Sequence, residues 1–373
     1  MKILHVVETL HVGGLERVVI DLAKEQIIRG AQCGVVCLFE KGALANEIEA
    51  EGIPVQTCSK NSGLDMAAIK KLSGFIQDFQ ADVVHTHNVI CNYYAAMALM
   101  GNVKVSLVNT RHGIGDMPRR QNWLYGLSLL RTSCAVGVCD ATSNMLRRQF
   151  PVFSRKIVTV RNGIVLEKYQ ERNKTSHLWL SKLMGLPEDS LLIAIVARLS
   201  AVKNHSMLFH AFQKVLEVVP TARLAVIGDG ELRPALESEV RQMGIEEEII
   251  FLGDRRDVPS LLSGVDVFAL SSMKEGYSIS LLEACASALP IVATDTGGNA
   301  EIVRHKENGL LVENGDAGSF ADSIIAILHS AGKRQKYGSN SRAWIEKEGA
   351  VQGMCRRYED VYIGAPGVFA NGR

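Results

Sequence analysis

The sequence predicts an α/β protein of two domains, each a parallel sheet covered by helices on both faces. Three observations predict it. Short apolar runs alternate with helix-periodic stretches along the chain. This alternation forms two series, separated by a more polar stretch at 166–187 that has no strand-like run. A length of 373 residues suits two such domains better than one.

The first series opens with a buried strand at 3–7 and a Gly-containing turn at 11–14. A helix over 15–29 follows, with Leu15, Val18, Val19, Leu22 and Ala23 at helical spacing. Further strand-like runs lie at 33–39, 82–85, 105–109, 135–138 and 157–160. The second series has strands at 191–196, 223–227, 249–252, 267–270, 291–294 and 310–312. Helices at 204–218, 231–243, 258–262, 279–288 and 318–330 lie between them. One last helical stretch is expected at 338–362. The domains expected are 1–168 and 187–344, with a C-terminal helix at about 345–373 packing back on the first. In such sheets ligands bind beyond the carboxyl ends of the strands. Two facing sheets would put a deep cleft between both sets of ends.

With 47% hydrophobic and 22% charged residues, the composition is that of an ordinary soluble globular protein. A net charge of +1 argues against a nucleic-acid partner. The charge is uneven, however: residues 101–160 hold nine Lys/Arg against two Asp/Glu, which predicts a basic face. The eight cysteines show no Cys-x-x-Cys pair and no zinc spacing. They read as buried thiols in a reducing, cytoplasmic setting. The apolar start at 1–10 is broken by His5 and Glu8, unlike a secretory signal. No run is long enough to cross a membrane.

Four segments carry chemistry. In KEGYSISLLEACASALP, Glu275 precedes a helix and Glu283 lies within it. Main-chain N–H groups of Gly276, Tyr277, Ser278 and Ile279 between them can hold an anion. A sugar diphosphate has that shape, with hydroxyls at both ends and phosphates in the middle. Two solvated glutamates are the alternative. In AIVARLSAVKN, a buried strand ends at Arg198, with Lys203 at the next helix start; two cations there suit a pyrophosphate. HVGGLER places Gly14 where backbone can approach a ligand, but it is not the dinucleotide fingerprint. NTRHGIG puts His112 after a strand, where it can bond a hydroxyl or a phosphate or exchange a proton. The glycines of Gly228-Asp229-Gly230 read as a tight turn.

The ordered set GGLERVV, RHG, VRNGI, ARLSAVKN, VIGDGELR, FLGDRRDV, SGVDVFALSS and the Glu-x7-Glu block resembles glycosyltransferase family four, from about residue 2 to 362. That resemblance implies the GT-B fold and a retaining transfer from a UDP- or GDP-linked sugar. The acceptor would be a glycan or lipid-linked glycan in bacterial polysaccharide or glycolipid synthesis. It implies that Arg198 and Lys203 bind the donor diphosphate, Glu275 the sugar hydroxyls and Glu283 the ribose. Backbone at Gly276–Ile279 and Gly14 would meet the phosphates. His112 would line the sugar and acceptor site, and the loop 253–258, with Arg256, would meet the base. No metal cofactor is expected, since the sequence has no Asp-x-Asp and the cations can stand in for an ion. Val165 and Ser278 stand where the family often has Asp and Gly. The basic stretch with Arg119, Arg120, Arg147 and Arg148 beside Trp123 and Leu130 suits either an anionic membrane or a solvated helix edge. A nucleotide-sugar epimerase or hydrolase of the same fold, or a non-catalytic nucleotide-sugar sensor, are the other readings.

Overall fold

The computed structural model describes residues 1–115 and 117–364. The chain forms two compact units. The first joins Met1–Gly163 to the segment that begins at Val351; the second is Ile164–Ala350.

The first unit holds β1 (Lys2–Val7), β2 (Gln32–Cys37), β3 (Val55–Thr57), β4 (Val83–His87), β5 (Ser106–Arg111), β6 (Cys134–Gly137) and β7 (Ile157–Thr159). All pair in parallel, in the order β3-β2-β1-β4-β5-β6-β7. The second unit holds β8 (Leu191–Val196), β9 (Ala222–Ile227), β10 (Ile249–Gly253), β11 (Val267–Leu270), β12 (Ile291–Thr294) and β13 (Gly309–Val312). Their order is β10-β9-β8-β11-β12-β13, again all parallel. β4, β6, β11 and β12 are buried along their whole length, as strands covered on both faces must be.

Three details differ from the sequence reading. β3 was not expected; it has three residues, only one of them fully buried. Residues 166–187, polar enough to suggest a linker, belong to the second unit. They include helix Lys174–Leu183, whose Leu180 is buried and whose His177 bonds the Gly264 carbonyl at 2.9 Å. The single helix expected at 338–362 is two helices, Ala331–Glu348 and Val351–Ile363. The break lies at Gly349, whose carbonyl accepts from Ile164 N at 2.9 Å.

Helix Val351–Ile363 completes the first unit by packing against helix Gly14–Ile28. It buries Met354, Cys355, Tyr358 and Tyr362. Arg29 grips Glu359 with two bonds of 2.7 Å. The end of the expected C-terminal helix, 365–373, lies outside the described residues.

Candidate active site

Each sheet has one place where consecutive connections run in opposite directions. In the second unit it lies between β8 and β11. Loops leaving such a pair of strands diverge and open a crevice at their carboxyl ends. Two loops start there, 197–204 and 271–278. Lys203 closes a short 3₁₀ turn, and Asn204, with φ of 50°, turns the chain into helix His205–Val218. The loops are stitched together: Ser271 Oγ donates to the Lys203 carbonyl at 2.9 Å, and Met273 N to the Val202 carbonyl at 2.8 Å.

The stitching brings Lys203 Nζ within 2.6 Å of Glu275 Oε1. Ser272 Oγ donates to the same oxygen, also at 2.6 Å. Glu275 is only 8% exposed. Its other oxygen accepts no hydrogen bond among the described residues, so one oxygen fixes the group and the other is left for a ligand hydroxyl. A carboxylate buried to this degree is tolerated because it is paired.

Helix Ile279–Ala286 begins beside this pair without a side-chain cap, so the opening main-chain N–H groups of Ile279 and Ser280 can meet an anion. Gly276, Tyr277 and Ser278, just before it, are buried. One turn along, Glu283 accepts from Tyr169 Oη at 2.8 Å. Arg198 is exposed, and its side chain makes no hydrogen bond or ion pair among the described residues. Its turn is shaped by the loop after β9. A Cβ on Gly228 or Gly230 would run into the carbonyls of Ala197 and Leu199. Leu199 N bonds the Asp229 carbonyl at 3.0 Å. The two glycines therefore do more than make a turn: they let one loop seat the arginine's backbone. Arg256 is exposed on the loop after β10, beside an Arg255–Asp257 pair.

In the first unit the reversal lies between β1 and β4. Its groups are mostly uncharged. His5 on β1 pairs in register with His85 on β4, and His87 lies two residues on, on the same face of β4. His112 follows β5 and is half-buried; its Nε2 is 3.0 Å from His87 Nδ1. Burial, helped by Arg111, pushes the His112 pKa down to about 3, so the ring is neutral near pH 7. Burial lowers His5 to about 4 and takes His85 and His87 well down too. Glu8, the first residue after β1, has its pKa raised by burial against the pull of Arg111 and Asn88. Gly14, exposed, opens helix Gly14–Ile28, whose N-terminus also lacks a side-chain cap.

His5, His85 and His87 hold ring nitrogens within 4.8 Å of one another, the only such group of potential metal ligands among the described residues. All their nitrogens already have protein partners: Gln26, Tyr362, Thr110, His112 and each other. This is a satisfied polar core rather than an open metal site.

The basic stretch divides in two. Arg119, Arg120 and Arg148 are exposed. Helix Arg119–Ser128 also exposes Trp123 (64%), and Leu127 and Leu130 are open nearby. Arg147 belongs elsewhere: its guanidinium bonds the Ile157 carbonyl at 2.9 Å and Asn144 at 3.0 Å, so it secures β7 instead of facing outward. Tyr125 is fully buried and donates to Asn109 at 2.7 Å.

The structure thus joins Lys203 to Glu275 and sets the uncapped helix start beside them. Ser272 and Tyr169, which orient the two glutamates, were missed. So was Gln26; His85 and His87 stand out in the sequence after a strand, but the hydrogen bonds that line up His5, His87 and His112 do not. A polar residue on the buried side of an amphipathic helix is the one signal that marks Gln26 in the sequence.

Each unit also matches a family of known proteins. The family model "Glycosyltransferase Family 4" matches residues 12–168, and "Glycosyl transferases group 1" matches residues 181–344. The chain is similar to N-acetyl-alpha-D-glucosaminyl L-malate synthase of Bacillus anthracis, with 27% identity over 80% of this chain and 78% of that one. It is also similar to the UDP-Gal:alpha-D-GlcNAc-diphosphoundecaprenol alpha-1,3-galactosyltransferase of Escherichia coli, with 26% identity over 88% of each. Among solved structures, Anabaena Alr3699/HepE in complex with UDP superposes with a TM-score of 0.86 at 21% identity, covering 98% of this chain and 100% of that one. The lipopolysaccharide glycosyltransferase WaaG superposes with a TM-score of 0.77 at 15% identity, over 97% and 100%.

Proposed function

Because the chain belongs to the family-four glycosyltransferases of GT-B fold, we propose that it moves a sugar, with retention of configuration, from a nucleotide-sugar to a hydroxyl of a glycan or lipid-linked glycan. The name of the galactosyltransferase relative, and a neighbour solved with UDP, favour a UDP-linked donor; that relative's lipid-linked acceptor favours a role in bacterial glycan or glycolipid synthesis.

One observation carries the reading: Lys203 and Ser272 both donate to one carboxylate oxygen of buried Glu275, beside an uncapped helix start. Breaking the bond between sugar and nucleotide leaves negative charge on the diphosphate. Lys203, Arg198 and the N–H groups at Ile279 and Ser280 supply positive potential where that charge grows. The second oxygen of Glu275 takes a sugar hydroxyl and fixes the ring; Glu283, steadied by Tyr169, takes the ribose. Arg256 and the loop 253–258 lie against the base. Gly14 lets backbone close on phosphate, and His112 receives a sugar or acceptor hydroxyl.

The acceptor oxygen attacks the face that the leaving phosphate vacates, and a phosphate oxygen takes its proton. Glu275 positions the sugar and forms no bond to it. The cations make a metal unnecessary, so turnover is expected to persist in excess chelator. Complete loss, restored by manganese or magnesium, would count against this.

The test of the reaction is a donor-stability screen: a matching nucleotide-sugar should raise the melting temperature of the enzyme and not of Glu275→Ala. Rapid epimer formation or hydrolysis without acceptor would replace transfer by the alternative chemistry.

A second reading concerns place. No helix among the described residues is long and apolar enough to cross a membrane. Arg119, Arg120 and Arg148, with Trp123, Leu127 and Leu130, offer cationic and apolar groups together, which suits peripheral contact with an anionic lipid surface on the cytoplasmic side.

A further inference from the structure

Behind His112 lies an unbroken line of hydrogen bonds. His112 Nε2 meets His87 Nδ1 at 3.0 Å, His87 Nε2 meets His5 Nδ1 at 3.1 Å, and His5 Nε2 meets Gln26 Oε1 at 2.8 Å. Gln26 is 1% exposed, His5 not at all and His87 2%. A neutral imidazole donates through one nitrogen and accepts through the other. The direction of the whole line therefore follows from its far end.

That end is an oxygen, which can only accept. The Cys33 thiol also donates to it, at 3.4 Å, and burial holds the thiol protonated by raising its pKa to about 12. On its other side, Gln26 Nε2 donates to Tyr362 Oη at 3.0 Å. The structure sets the amide with its oxygen toward His5 and its nitrogen toward Tyr362.

The rest is forced. His5 carries its proton on Nε2 and accepts on Nδ1. His87 then donates through Nε2 and accepts on Nδ1. His112 must donate through Nε2. Its Nδ1, which meets no partner among the described residues, is left with a lone pair. A second branch obeys the same amide. Tyr362, having accepted from Gln26, gives its own proton to His85 Nδ1 at 2.7 Å. His85 Nε2 then donates to Thr110 Oγ1, also at 2.7 Å.

We infer that Gln26 is a positioning residue. Through His5 and His87 it sets the tautomer of His112, so that His112 Nδ1 presents an acceptor, not a donor, to a hydroxyl-bearing ligand. The ligand class follows from that polarity. A sugar or glycan hydroxyl can donate to this nitrogen, whereas a fully ionised phosphate oxygen cannot. The inference rests on the proposed role of His112 for its functional half only; the tautomer itself is a property of the unliganded protein. The low pKa values of these rings agree with a neutral line but do not define its direction.

The test is long-range proton–nitrogen correlation on the full chain with ¹⁵N-histidine at pH 7.5. The His112 signals are assigned by their loss in His112→Asn. In the wild type His112 should show a protonated Nε2 and a bare Nδ1. In Gln26→Met it should become a mixture of both forms, and kcat/KM for the donor should fall about threefold to tenfold, the weight of one neutral hydrogen bond. A wild-type His112 protonated on Nδ1 overturns the inference, even if Gln26→Met does not fold. So does a His112 tautomer that Gln26→Met leaves unchanged. Unaltered kinetics in His112→Ala would instead sink the proposed sugar contact and leave the spectra to decide the relay.

Discussion

The two units share a topology and put opposite chemistry at the same point in it. Where the second sheet reverses, between β8 and β11, the groups are ionic: a lysine and a carboxylate at 2.6 Å, an exposed arginine and an uncapped helix. Where the first sheet reverses, between β1 and β4, the groups behind the loops are neutral imidazoles, held neutral by burial. A parallel sheet dictates where a ligand sits, not what it is. Charge belongs where a leaving group develops charge. On the proposed reading, neutral, oriented acceptors suit a place where a hydroxyl is received.

The contrast can be broken most decisively at its ionic end. Glu275→Ala is expected to lower kcat/KM about a thousandfold, since it removes the proposed anchor for the sugar and leaves Lys203 unpaired. Lys203→Ala should cost about 3 kcal/mol of stability as well, because Glu275 stays buried without its cation; urea titration of the variant checks this. Arg198→Ala sharpens the point by separating the two effects. It should reduce kcat/KM about tenfold to a hundredfold while leaving the urea midpoint unchanged, as its side chain holds nothing in the free protein. A loss of stability there would show that the arginine is structural.

The neutral end has its own signature in pH. His5, His85 and His87 have folded-state pKa values below the ordinary 6.5. Between the two values the unfolded chain binds protons that the folded chain refuses. Stability is therefore full above pH 6.5 and drains as pH falls towards about 4. The slope is at most about 1.4 kcal/mol per pH unit for each buried histidine. Urea midpoints at pH 7.5, 6 and 5 measure it, and a flat profile would mean the histidines are charged or solvated. The smallest effect is expected at the basic surface. Arg119→Glu with Arg120→Glu should weaken co-sedimentation with anionic vesicles by about tenfold and leave donor turnover in solution unchanged. Arg147→Ala should not alter vesicle binding, because that side chain is engaged with Ile157 and Asn144.

Much of the fold was legible because buried parallel strands are continuous apolar runs, and twelve of the thirteen strands announce themselves that way. β3 does not, since three residues at a sheet edge need little burial. The break near Gly349 was hidden because the pattern on both sides is helical; what ends the helix is a contact with Ile164, far off in sequence. The site was legible in its charged residues and illegible in their partnerships. Lys203 and Glu275 stand 72 positions apart, and nothing in their spacing says that they share a hydrogen bond. Arg147 looks like its neighbour Arg148 in the sequence, yet only one of them is exposed.

The return of Val351–Ile363 to the first unit has a consequence for synthesis. Tyr358 and Tyr362 close the polar network around His85 and Thr110, so that unit cannot be finished until residue 362 has left the ribosome. The second unit, though its residues are made later than most of the first, is whole once Ala350 emerges. The half of the protein that is translated first is thus the last to be sealed, and a nascent chain must shelter an uncovered sheet face and unquenched imidazoles until helix Val351–Ile363 arrives.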